Sequence, residues 1–211
     1  MSTTVSAWQD AYFEDVSELF DELWGWELDG SKQQKRDIAD LYIAGALLAC
    51  NRLRVVREQG KTAAFLGSIL YDNPQPGLAL ENRAAFERAA IELEARLRTS
   101  CFGMESIVFN EAIVEANRRL KEEMIAKGFA WQGELKLLMT SSAFQGRGYA
   151  RILVEETLRA MYGQGVRGVV LYTDTHCNWR YYEKNGWVLA AQNEWIFRDE
   201  PIRALAYWKE L

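Results

Sequence analysis

A chain of 211 residues, 49% hydrophobic and 26% charged, has the composition of an ordinary globular protein and enough apolar material for one substantial core. Its formal net charge of -5 argues against a nucleic-acid partner, because phosphate backbones are gripped by basic surfaces. Three widely spaced cysteines and a single histidine, His176, suggest neither a disulfide framework nor a zinc site, and they leave a Ser-His-Asp or Cys-His hydrolase with little to work with.

Along the chain, Thr4 to Trp8 reads as a short first strand. A helix follows over Glu14 to Leu23, where Val16, Leu19, Phe20 and Leu23 recur at helical steps. Trp24-Gly25-Trp26 breaks that pattern, and a second helix runs from about Lys32 to Ala49. Its apolar run, Leu41 to Cys50, is about half of the roughly 20 residues a membrane-spanning helix needs. Met1 to Gln9 lacks the basic start and apolar stretch of a signal peptide, so the expected location is the cytoplasm, with no membrane partner. Asn51 to Glu58 and Lys61 to Tyr71, joined at Gly60, read as a hairpin. Residues 72–77, with two prolines and a glycine, are loop chemistry.

Two helices come next, one carrying Phe86, Ala90, Leu93 and Leu97 on a face, the other Ile113, Ala116, Leu120 and Met124. After Gly128 the pattern becomes strand (Glu134 to Thr140), helix (Gly148 to Tyr162) and strand (Val169 to Thr173). Trp187 to Gln192 and Ala204 to Trp208 look like two closing strands. The fold class is α/β, in a single domain spanning 1–211.

The most informative stretch is Thr140-Ser141-Ser142-Ala143-Phe144-Gln145-Gly146-Arg147-Gly148-Tyr149-Ala150, where a strand opens through small residues onto a helix. Glycines there let the backbone turn tightly, and the first amides of a helix lack internal partners and attract anions. Arg147 and Arg151 add charge suited to phosphate oxygens. A plain strand-to-helix turn has the same glycines, so the loop alone leaves both readings open. A Rossmann site lacks its third glycine, and a Walker loop lacks Gly-Lys-Ser/Thr.

Gln145-x-x-Gly148-x-Ala150 resembles the Q/R-x-x-G-x-G/A signature of the GNAT superfamily of N-acetyltransferases. Downstream, Asn178 followed by Tyr182-Glu183-Lys184-Asn185-Gly186-Trp187 is similar to that family's Asn and Y-x-x-x-G-F, with Trp for Phe. The resemblance is strong over about 133–192, expected to form the acetyl-CoA-binding core. It implies a central mixed, mostly antiparallel sheet with splayed strands 4 and 5 and flanking helices. The stretch of about 78–128, longer than the family's usual link, would then be a helical insertion between strands 3 and 4.

The same resemblance implies direct transfer of an acetyl group from acetyl-CoA, as cosubstrate, to the primary amine of a small molecule or protein, without metal. It places the cosubstrate against Leu138, Met139 and Thr140 and on Gln145, Gly146, Arg147, Gly148, Tyr149, Ala150 and Arg151, with Asn178 nearby. It makes Tyr182 the general acid for the departing thiolate. For a base, Glu134 on the cofactor-side strand is a candidate, with Asp174 and His176 as others. Trp24, Trp26, Trp131 and Trp179 flank loops on the expected acceptor side. A catalytically silent acyl-CoA-binding module is the alternative reading, and a homodimer is among the arrangements open to the chain.

Overall fold

The computed structural model describes residues 5–25, 30–72, 77–78 and 80–211. Thr4, Trp26 and residues 73–76, all touched on above, lie outside the described residues. Seven strands form one sheet: β1 (Val5–Ala7), β2 (Arg52–Glu58), β3 (Lys61–Leu70), β4 (Gly133–Thr140), β5 (Gly168–Asp174), β6 (Val188–Phe197) and β7 (Glu200–Glu210). Their spatial order is β1-β2-β3-β4-β5-β7-β6, antiparallel throughout except for the parallel contact of β4 with β5.

Among the described residues six α-helices flank it: α1 (Phe13–Trp24), α2 (Lys32–Ala49), α3 (Leu80–Leu97), α4 (Cys101–Ala126), α5 (Tyr149–Gly163) and α6 (Arg180–Lys184). α2 starts where the chain offers a capping box: the Ser31 hydroxyl accepts from the Gln34 amide and the Gln34 side chain accepts from the Ser31 amide. Among the described residues no helix is long and apolar enough to cross a membrane.

Side-chain alternation sorts the helices between the two faces. On β5, Val169 and Leu171 join the core under α5, with Leu153, Val154 and Met161, whereas Val170 joins Ala116, Leu120 and Met124 of α4 on the opposite face. On β4, Leu138 packs on the α5 side and Leu137 and Met139 pack under α1 and α2. Hence α1, α2 and α4 share one face and α5 covers the other. α4 lies close because the strands beneath it present Ala190, Ala191, Ala204 and Ala206. α3 is tied to α2 by Arg96, whose Nε and Nη2 donate to the buried Asp37 carboxylate at 2.7 and 2.6 Å.

The expected closing strands match β6 and β7 apart from Trp187, which precedes β6, and both strands are longer than the pattern suggests. They meet in a two-residue turn at Arg198 and Asp199, whose φ values of 49° and 61° are left-handed without glycine. The partly solvated, charged stretch around that turn masks the strand period.

Candidate active site

Pairing of β4 with β5 stops early. Only Gly133, Glu134 and Leu135 find partners, at Val169, Val170 and Leu171. Beyond them the strands part, while β4 stays paired to β3 as far as Thr140. The register jumps from Ser68–Leu135 to Gly67–Leu137, so Lys136 is an extra residue, a β-bulge at the point of parting.

The Ser141 amide donates to Ala63 O, which makes that pair, and by alternation Met139–Phe65, the hydrogen-bonded ones. Leu138 and Thr140 therefore turn their amides and carbonyls toward the gap. Met139, expected among the cofactor-facing residues, instead points its amide at β3, and its side chain is buried under α1 and α2. The open edge belongs to its two neighbours.

At the end of that edge lies the glycine loop. Gly146 and Gly148 have φ of 76° and 81°, the left-handed region, and a Cβ added to either would meet no atom within 4 Å. The backbone there is bare and approachable. Gly148 is the N-cap of α5, and the first bond of the helix runs from Ile152 N to Gly148 O, 3.0 Å. The amides of Tyr149, Ala150 and Arg151 precede it and carry the positive end of the helix dipole.

The two arginines stand differently. Arg147 Nη1 lies 2.7 Å from Glu58 Oε1, and the same carboxylate accepts from the Tyr149 hydroxyl, so Arg147 braces the loop against the β2–β3 hairpin. Tyr149 is correspondingly buried. Arg151 is exposed, its nearest ion partner being Glu155 one turn along at 3.7 Å. Glu22 of α1 secures the start of the loop, accepting from Ser142 N at 2.6 Å and from both serine hydroxyls.

After β5 the chain turns at Asp174, whose carboxylate accepts from the His176 amide at 2.8 Å, and enters the five-residue α6. Asn178 is exposed there, and its carbonyl accepts from Tyr181 N. Tyr182 packs on the α5 side, its ring near Trp187 and Tyr207. Burial, with the Cys177 and Tyr181 charges adding to it, raises the Tyr182 hydroxyl well above the usual tyrosine range. The helix ends through Gly186, φ 74°, with Trp187 N returning to Tyr182 O at 3.1 Å.

An unpaired strand edge, a bulge, and a left-handed glycine loop opening a helix are now on one side of one sheet gap. Residues 113–187 match the sequence pattern of the Acetyltransferase (GNAT) family. The match takes in β4, the glycine loop, β5 and α6.

The fold agrees. Arylalkylamine N-acetyltransferase 2 from Aedes aegypti superposes with a TM-score of 0.59 at 13% identity, covering 100% of this chain and 99% of that one. The ribosomal-protein-S18-alanine N-acetyltransferase from Escherichia coli gives 0.54 at 12% identity, covering 99% and 94%. An N-acetyltransferase from Staphylococcus aureus Mu50 gives 0.52 at 10% identity, covering 100% and 99%. At such identities the likeness is one of fold. No curated protein matches this sequence.

Glu134 lies elsewhere from the glycine loop, at the opposite end of β4, buried on the face shared by α2 and α4. Its Oε2 accepts from the Tyr71 hydroxyl at 2.5 Å and its Oε1 is 3.3 Å from Lys136 Nζ. Tyr71, Lys136 and Tyr172 were not singled out by the sequence pattern, since a bulge has no residue signature and the cluster is assembled from β4, β5 and the residue after β3. Among the tryptophans, Trp24 packs at a tilt against Phe20 and Trp179 carries the Arg180 guanidinium at 4.6 Å. Trp131 packs against the core under α4.

Proposed function

We propose that this protein transfers the acetyl group of acetyl-CoA to a primary amine, by direct attack within a ternary complex. The observation that carries the reading is the continuity of an unpaired β4 edge with a bare glycine loop that ends at a helix N-terminus. An extended acyl-thioester arm needs backbone hydrogen bonds along its length and an anion site at its end. Leu138 and Thr140 would supply the first, and the amides from Gly146 to Arg151 the second.

In the proposed reaction the amine nitrogen attacks the thioester carbon, the C–N bond forms and the C–S bond breaks. The amine's proton passes to a base, for which Glu134 is the candidate, and the thiolate takes a proton from Tyr182, which solvent restores. Tyr182 suits the acid role because burial keeps its hydroxyl protonated at neutral pH. An unpaired amide at the gap, that of Leu138, stabilises the developing oxyanion. Holding both substrates together supplies much of the rate, since oriented reactants gain about 7–11 kcal/mol over a bimolecular encounter.

The test is release of free thiol from acetyl-CoA across a panel of small amines and amino-terminal peptides. Amine-dependent thiol release supports transfer. Tight CoA binding with no thiol from any amine would leave a silent acyl-CoA-binding module instead.

A further inference from the structure

Where β4 and β5 part, the face under α2 and α4 carries a polar cluster. Glu134 is only 5% exposed, yet both its oxygens are engaged, by the Tyr71 hydroxyl and the Lys136 ammonium. One strand over, the Tyr172 hydroxyl is buried with no hydrogen-bond partner among the described residues and is close enough to feel the Glu134 charge. A buried orphan hydroxyl is costly and asks for an explanation. The helix above spans this gap. Tyr42 of α2 lies near Asp174 and Cys177 at the far end of β5, and Cys50, just past the helix, lies near Glu134 and Lys136. Between them, Gly45 and Ala49 follow Tyr42 at helical steps and are exposed, and a Cβ on Gly45 would meet nothing within 4 Å.

We propose that Glu134 and Tyr172 form the subsite for the acceptor's amino group, and that the acceptor is a primary amine carried on a slim apolar or aromatic stem lying between α2 and α4. The proposal rests on the acetyl-transfer reading above. Lys136 already shows the carboxylate receiving one primary ammonium, and an incoming amine offers the same donors, one for Glu134 and one for the orphan Tyr172 oxygen. Lys136 beside it disfavours a second positive charge, which favours the neutral, nucleophilic form of the amine. The walls suit such a stem: the aromatic faces of Tyr42, Trp131 and Tyr172 attract cations and apolar groups, and Gly45 and Ala49 leave width without polar partners. A polyamine or peptide chain would need those partners along its length.

The probe is 2-phenylethylamine, compared with spermidine and with a peptide bearing an N-terminal alanine. The expected kcat/KM for 2-phenylethylamine is at least tenfold above the other two. Tyr172→Phe and Gly45→Leu should each raise its KM at least fivefold while CoA affinity stays within twofold. Unchanged KM in both variants, or a preference for spermidine or the peptide, overturns the proposal. If no amine releases thiol, transfer itself fails, and calorimetric binding of 2-phenylethylamine decides the subsite separately. Binding weakened at least fivefold by Glu134→Gln and Tyr172→Phe sustains it; no binding, or binding equal in all three proteins, overturns it.

Discussion

Gly148 is where the anion-site argument is most exposed to test. Its φ of 81° is left-handed, and no atom lies within 4 Å of an added Cβ, so a side chain there strains the backbone without clashing. The strain for a non-glycine residue in this region is about 1–2 kcal/mol, and each kilocalorie lowers Tm by about 2–4 °C in a domain of this size. Gly148→Ala and Gly148→Glu should share that modest loss of stability. They should differ in binding. A carboxylate roughly 5 Å from a diphosphate charge, at an effective dielectric near 20, is repelled by about 3 kcal/mol. That amounts to a loss of CoA affinity of more than about a hundredfold for Glu, relieved in part by salt, and a much smaller loss for Ala. Calorimetric titration with CoA, beside thermal melts of all three proteins, reads both quantities. If Gly148→Glu keeps its Tm within the expected range and binds CoA within threefold of the parent, diphosphate does not sit on this loop.

Tyr182→Phe should lower turnover with an active amine at least tenfold while CoA affinity changes less than twofold; unchanged turnover removes it as the acid. Because burial raises that hydroxyl above its ordinary value near 10, parent turnover should show no fall from its ionisation below pH 10, which a pH profile checks. Tyr42, pushed up to about 12 chiefly by burial, binds its proton more tightly folded than unfolded, so its stabilising contribution is intact below pH 10 and is lost as pH rises through about 12. Urea midpoints should therefore drop between pH 8 and 11, and drop less in Tyr42→Phe. Leu120→Ala, at a fully buried position where α4 meets the alanine-rich strands, should cost about 2–5 kcal/mol by denaturant melts while leaving CoA binding nearly unaltered.

The glycine loop was legible because its chemistry is local. Gly146 and Gly148 occupy left-handed positions that few other residues tolerate, and strand, loop and helix follow one another without interruption. The same holds for the buried stripe of Ala116, Leu120 and Met124. The β6–β7 turn was less legible, since Arg198 and Asp199 take left-handed conformations without glycine to mark them.

Residue order alone thus determined most of the elements, the glycine loop and the two motifs that point to GNAT chemistry, because each depends on neighbours a few positions apart. Only tertiary structure decided which amides face the gap, that Arg147 is held by Glu58, and that Glu134 meets Tyr71, Lys136 and Tyr172. Each of these follows from strand register and from partners 89 residues apart for Arg147 and 63 for Tyr71, and no local pattern encodes a register.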